Sequence, residues 1–322
     1  MRQFKVLIVT TVPNTIRAFL LPFASYFREK GWIVDAAANG ICGFNECVEV
    51  FDKIWEIPWS RNPLDLNNFL SAPRVIREIV KQGDYDIVHV HTPIAAFITR
   101  WALRKERRSN NLKVIYTAHG FHFFKGAPLK NWIIYYPIEK WLAKYTDVLI
   151  AINKEDYEIA KKFKANRIEY VPGVGIDADK FKTIEVNKQE KRKSIGIDED
   201  DFMMISVGEL NKNKNHQVII KAISRIKNKK IKYVICGQGP LETELKELAG
   251  ELGVEQQVKF LGFRKDVPDL MKVADLFAFP SFREGLSLSL MEAMAAGLPL
   301  VVTDCRGNRD LVTDNENGYV VE

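Results

Sequence analysis

The chain has 322 residues and little cysteine: Cys42, Cys47, Cys236 and Cys305, no two of them spaced as a CxxC pair. That pattern excludes a disulfide frame or a thiolate zinc site and fits reduced cytosolic thiols. No apolar run approaches the ~20 residues of a membrane-spanning helix. The first residues run straight into a strand-like segment, Phe4 to Thr10, so no secretory leader is expected. Several chemistries also lack their signatures. There is no GxxxxGK(S/T) phosphate loop and no GxSxG nucleophile elbow. The acids at 198–201 and at Asp266 and Asp269 do not form a DxD motif ending a strand, so no metal is expected. Neither a basic helix nor an RNA-type aromatic motif appears, which argues against nucleic acid.

What is present is an ordinary globular composition, 47% hydrophobic, at a length that suggests two domains. Charge divides unevenly. Residues 1–186 carry 27 Lys and Arg against 20 Asp and Glu, and residues 187–322 carry 20 against 21. A basic first half fits an anionic partner, a membrane surface or a phosphate-bearing substrate; a solvated basic surface fits as well.

Periodicity predicts strands at 5–10, 32–38, 86–91, 113–117, 148–152 and 168–171, separated by helices at 18–30, 73–82, 95–105, 132–144 and 154–164. Pro172-Gly-Val-Gly-Ile-Asp177 breaks the alternation and suits a hinge. The alternation then resumes. Strands are expected at 202–207, 233–236, 258–261, 276–279 and 300–303, with helices at 215–226, 240–252 and 267–273 and a last element at 309–312. Alternation of this kind means parallel sheets wrapped by helices, with ligands at the carboxyl ends of the strands. His119 follows such an end; His89 and His91 also fit simple packing.

Four features converge on one rim of the second half. Gly208 opens a loop to Asn215 in which Lys214 is the best cation for a phosphate. Gly237-Gln-Gly239-Pro follows the next strand, with Glu242 where a dinucleotide fingerprint needs a third glycine. Phe260-Leu-Gly-Phe263 ends another strand. The fourth is Phe279 to Val302, where Glu284 lies in a loop and Glu292 in the following helix. Eight helical steps span about 12 Å, so the two acids would divide labour rather than share a proton. Gly285, Ser287 and Ser289 leave the helix start open to an anion. The same spacing also fits a buried amphipathic helix with incidental acids.

With these motifs the chain resembles family 4 retaining glycosyltransferases of the GT-B fold, especially those of capsule and exopolysaccharide synthesis. The E-x7-E segment (Glu284, Glu292), the GxLxxxK loop (Gly208, Leu210, Lys214), the GxGP turn, FLGF and TAHGFHFF with His119 carry the resemblance, over nearly the whole chain. It implies an α/β architecture of two Rossmann-like domains facing across a cleft. Residues 1–172 would form the acceptor side, 173–193 the linker and 194–322 the nucleotide-sugar side. It implies transfer from a UDP-sugar or similar donor, which is a substrate rather than a cofactor. The acceptor would be a saccharide, free or on polyprenyl diphosphate.

By the same resemblance, Glu292 would hold the ribose. Glu284 and the amides of Leu286, Ser287 and Leu288 would face the sugar and diphosphate, with Gly285 beside them. Lys214 would neutralise the leaving group, Phe263 would meet the base, and His119 would reach the donor sugar. Glu209 stands where the family has arginine, which leaves the diphosphate clamp one cation. Thr10 to Thr15 replaces a glycine-rich loop, and relatives continue past Glu322 into helices that cross back, so C-terminal helices are expected to be missing. The competing readings are a non-catalytic sugar-nucleotide scaffold subunit and a nucleotide-sugar epimerase. The aromatic, lysine-flanked stretch from Phe121 to Lys144 suits either a core or a membrane interface, so the expectation is a cytoplasmic chain, peripheral on the inner face of the cell membrane.

Overall fold

The computed structural model describes residues 3–322 apart from Asn110, with Ser109 described in its backbone only. The chain divides into two compact units, residues 1–172 and 173–322. The first is built on seven parallel strands: β1 (Lys5–Val9), β2 (Ile33–Ala38), β3 (Lys53–Glu56), β4 (Ile87–Val90), β5 (Lys113–Ala118), β6 (Val148–Ala151) and β7 (Arg167–Tyr170). Their order is β3-β2-β1-β4-β5-β6-β7. The second unit has six: β8 (Phe202–Val207), β9 (Ile231–Cys236), β10 (Val258–Gly262), β11 (Leu276–Phe279), β12 (Leu300–Thr303) and β13 (Tyr319–Val321), ordered β10-β9-β8-β11-β12-β13. Both are Rossmann-like parallel sheets. In each, strand order reverses once, between β1 and β4 and between β8 and β11. Such switch points open the crevice in which open α/β sheets bind ligands.

Helices cover both sheet faces, which is why the strands read as continuous apolar runs. Leu7 and Val9 point into one core of the first unit, with the helices Ala72–Gly83, Pro93–Ala102 and Leu129–Leu142 packed over it. Val6 and Ile8 point into the other, under Leu21–Glu29 and Asn45–Val50. The Ala72–Gly83 helix shows the sorting clearly: Ile76 and Ile79 are buried while Arg74 and Arg77 are not. It ends at Asp84, whose left-handed φ of 51° closes the last turn.

Two edge strands escape the apolar pattern. β3 has only Ile54 and Trp55 to signal it and pairs on one side alone, and β13 is three residues long. At 309–312 the expected element falls across the end of a short helix, Arg306–Arg309. The first helix starts earlier than expected, at Pro13, and widens at Ile16–Leu20 just before Pro22, which has no N–H to give to that turn. The aromatic stretch divides. Phe121 and Phe123 are fully inside, Trp132, Tyr135 and Tyr136 pack half-buried on the core, and Ile133, Ile134 and Trp141 face solvent. Among the described residues no helix is long and apolar enough to cross a membrane.

Candidate active site

The second unit gathers the predicted residues at its switch point. Lys214 lies in the loop after β8 and Glu284 in the loop after β11, the two neighbouring strands at which the order reverses. Lys214 Nζ donates to Glu284 Oε1 at 2.7 Å, with the side chains only 18% and 12% exposed. The ammonium also lies 4.5 Å from the ring centroid of buried Phe279. A largely desolvated carboxylate and an aromatic face therefore fix its position from two sides.

The loops are tied to each other. Phe282 N donates to Asn213 O at 2.9 Å, and Asn213 Nδ2 to Arg283 O at 2.9 Å. Asn211 Oδ1 accepts from Lys214 N at 3.0 Å, which closes the loop on itself. Glu209, the residue that departs from the family pattern, is exposed and accepts from Asn211 Nδ2 at 3.0 Å. Its carboxylate is thus engaged within its own loop.

The glycines form the floor of the rim. Gly208 N donates to Cys236 O at 3.0 Å and Gly237 N to Gly262 O at 2.8 Å, so the ends of β8, β9 and β10 are joined backbone to backbone, with the β9–β10 register shifting between Phe260 and Gly262. A Cβ on Gly237 would overlap the Gly208 carbonyl oxygen, so only glycine lets these backbones approach this closely. Gly239 packs on the Leu210 backbone. Phe263, next to Gly262, is exposed.

Beyond Glu284, Leu286 and Ser287 are buried and the helix Leu288–Ala295 begins with Ser287 in extended conformation. Ser287 makes no side-chain cap; its Oγ meets Ser289 Oγ at 3.0 Å, and Ser289 Oγ donates to Val207 O at 3.3 Å. The first-turn N–H groups therefore keep their capacity to take an anion. Glu292 is half-buried in this helix. Burial raises its pKa, and the charge of Lys180 partly offsets that rise.

Sequence reasoning passed over the residues that brace this loop. Arg306, 6% exposed, donates from Nε to the Glu284 carbonyl at 3.0 Å. Gly307 packs so tightly that an added Cβ would overlap Gly285 O. The only sequence signal was a glycine just past β12, on the same rim. Behind the Lys214 loop, His216 Nδ1 meets Tyr233 OH at 2.9 Å, and Tyr233 OH donates to Ser206 Oγ at 2.8 Å. Ser206 in turn donates to Ala278 O, tying β8 to β11 under the site.

His119 belongs to the first unit, just past β5. Its Nε2 lies 3.0 Å from His91 Nδ1, and Phe19 from the widened helical turn lies beside its ring. His91 is 3% exposed and its Nε2 has no partner among the described residues. His89 Nε2 meets Thr117 Oγ1 at 2.8 Å. Burial lowers the pKa of all three imidazoles, to about 4 for His89 and His119 and well below the ordinary value for His91. Near neutral pH the cluster is uncharged, so His119 works as a hydrogen-bonding group.

The sign of the resulting pH dependence is fixed. The unfolded chain takes up protons below about pH 6.5 while folded His89 and His119 resist until about 4 and His91 is lowered in the same direction. Stability contributed by the cluster is complete above 6.5 and is lost as pH falls from there towards 4, with a slope of about 1.4 kcal/mol per pH unit for each histidine. Thermal denaturation between pH 4 and 8 measures it. His89→Gln with His91→Gln should flatten the slope; an unchanged slope would show that other groups cause it.

Two Rossmann-like parallel-sheet units in series, the second with loops gathered at its switch point, are the architecture of the GT-B class. The chain belongs to glycosyltransferase family 4: the family model "Glycosyltransferase Family 4" matches residues 19–180 and "Glycosyl transferases group 1" matches residues 187–322. It is 40% identical to EpsD of Bacillus subtilis, a protein named as a glycosyltransferase, over 99% of this chain and 83% of that one. It is 32% identical to the UDP-Gal:alpha-D-GlcNAc-diphosphoundecaprenol alpha-1,3-galactosyltransferase of Escherichia coli, over 76% of this chain and 64% of that one. Among solved structures, Anabaena HepE in complex with UDP shares the fold, with a TM-score of 0.80 at 21% identity, over 99% of this chain and 85% of that one.

Proposed function

We propose that the protein transfers a hexosyl or N-acetylhexosaminyl group from a UDP-sugar to a saccharide carried on polyprenyl diphosphate, with retention, in assembly of a capsule or exopolysaccharide. The observation that carries this reading is the Lys214–Glu284 pair at the glycine-floored switch point. A bare carboxylate there would repel a diphosphate; one already neutralised by Lys214 does not. The incoming diphosphate meets the ammonium and the N–H groups at the start of the Leu288–Ala295 helix. Glu292, in the same helix, takes the ribose hydroxyls. The bond from the sugar C1 to the diphosphate oxygen breaks, and a bond from C1 to the acceptor oxygen forms on the same face. The acceptor proton passes to the departing diphosphate, so this step calls for no dedicated protein nucleophile.

The donor class is supported by the relative named for UDP-Gal, and the acceptor class by that name together with an N-acetylgalactosaminyltransferase of Campylobacter jejuni named for a diphospho-undecaprenol acceptor, 42% identical over 34% of this chain. Incubation with a panel of UDP-sugars and a polyprenyl-diphosphate saccharide should release UDP only when both substrates are present. UDP-sugar binding without release would favour a non-catalytic subunit. Glu292→Ala should weaken UDP affinity about ten- to hundredfold, the worth of hydrogen bonds to a charged group. Isothermal titration measures this, and unchanged affinity would displace the ribose from this helix.

A further inference from the structure

We infer that His91 is a positioning residue: it fixes His119 in the tautomer that carries its proton on Nδ1, so that His119 offers the donor sugar a hydrogen-bond donor rather than an acceptor. The inference rests on the transfer reading for its ligand, a hydroxyl or ring oxygen of the sugar, and on the first unit alone for its geometry. His91 follows β4 and His119 follows β5, the strand paired beside it. Their ring centroids lie 5.2 Å apart. His91 Nδ1 and His119 Nε2 are 3.0 Å apart, a hydrogen bond in which either nitrogen is able to carry the proton.

The other nitrogen of His91 settles which one does. Both rings are uncharged near neutral pH, so each carries a single N–H. Were His119 Nε2 the donor, the His91 proton would sit on its own Nε2, which is buried with no partner among the described residues. A buried, orphaned N–H is the rarer and costlier way to leave a polar atom unpaired. With the proton on His91 Nδ1, what goes unpaired is a bare lone pair. His91 Nδ1 then donates to His119 Nε2, and the His119 proton is left on Nδ1. That nitrogen has no partner among the described residues and belongs to a half-buried side chain, so it is the one left for a ligand.

The frame that holds His91 is tightly specified. Its N donates to Val9 O at 2.9 Å. Its ring centroid lies 4.2 Å from that of His89, whose Nε2 meets Thr117 Oγ1 at 2.8 Å. Thr92, the next residue, has a φ of 61°, a strained conformation for a β-branched side chain, and its Oγ1 accepts from Thr11 N at 2.9 Å. Such strain persists where the surroundings over-determine the backbone.

Nitrogen-15 NMR of the histidine-labelled full chain tests the inference with no donor or acceptor present. The chain has five histidines, few enough to assign by single substitutions. In the wild type, His119 should carry its proton on Nδ1, and the N–H of His91 Nδ1 should couple across the hydrogen bond to His119 Nε2. His91→Asn keeps an amide N–H at the δ position and should keep that tautomer. His91→Ala admits water, which donates or accepts, and should turn His119 into a mixture of tautomers. The alanine variant should also lower kcat/KM about tenfold, the worth of one hydrogen bond, and the asparagine variant should recover most of that loss. A wild-type His119 protonated on Nε2 would overturn the inference whether or not the chain is active, and this spectrum needs no variant to fold. An alanine variant with unchanged tautomer or unchanged turnover would overturn it too. A wild type with the Nδ1 proton that releases no UDP would count against the transfer reading alone.

Discussion

Lys214→Ala is expected to lower turnover by about 10²–10³-fold while UDP affinity changes by much less, because a preorganised donor aimed at developing charge is worth that much in the transition state. The chain spends several contacts on placing this one ammonium. The Glu284 carboxylate holds it at 2.7 Å, the Phe279 ring lies beneath it, and Asn211 fixes its backbone. In the resting protein the charge is shared with Glu284. In the proposed transfer, negative charge would grow on the diphosphate as the sugar–phosphate bond breaks and would compete for the ammonium. The interaction therefore strengthens along the reaction, which is the condition for a catalytic rather than a binding effect. Lys214→Arg should recover part of the loss, since a guanidinium still pairs with a carboxylate but sits differently from a point charge. Steady-state kinetics with the best UDP-sugar would separate kcat from KM. Loss confined to KM would make Lys214 a binding residue, and a kcat within threefold of wild type would remove it from the chemistry. Glu209 enters the same test. Engaged with Asn211, it leaves Lys214 to Glu284, while Lys212 of the same loop is exposed.

Much of this arrangement was legible before folding. Strand and helix alternation gave the two parallel sheets because the central strands are buried on both faces and so read as unbroken apolar runs. The glycines after β8, β9 and β10 were legible as backbone approach points, and the structure shows what they approach: one another. The Lys214–Glu284 contact was not legible. Those residues are 70 positions apart, and β9 and β10 intervene in sequence but not in space. Only the reversal of strand order makes β8 and β11 neighbours, and no local pattern encodes that. Arg306 escaped notice because it acts through a backbone carbonyl, a partner with no residue identity to read.

Glu139→Ala is expected to destabilise the first unit by about 3–5 kcal/mol, because it strands a buried charge. Arg100 is completely buried in the Pro93–Ala102 helix, and its Nη2 reaches Glu139 Oε2 of the Leu129–Leu142 helix at 2.8 Å. Its Nε donates to Ala96 O at 2.9 Å, and the guanidinium lies 4.1 Å from the Tyr116 ring centroid. Nη1 is buried with no partner among the described residues, so the pair is already short of full satisfaction. Neither the carbonyl nor the ring can replace the lost carboxylate. For a unit of 172 residues the melting temperature should fall by roughly 6–20 °C. By contrast, Arg100→Met with Glu139→Leu removes both charges and fills the space with apolar atoms. It should be near neutral or stabilising, since desolvating two ions offsets most of their attraction. Thermal melts of the three proteins, read as separate transitions where the units unfold separately, give the ordering. A Glu139→Ala loss below about 1 kcal/mol would mean the carboxylate matters little to the buried arginine. The double variant also isolates the pair's structural task. The pair joins the Pro93–Ala102 and Leu129–Leu142 helices. If apolar packing alone holds them in register, the double variant should keep its stability. If it melts well below the wild type, the ion pair itself holds the two helices together.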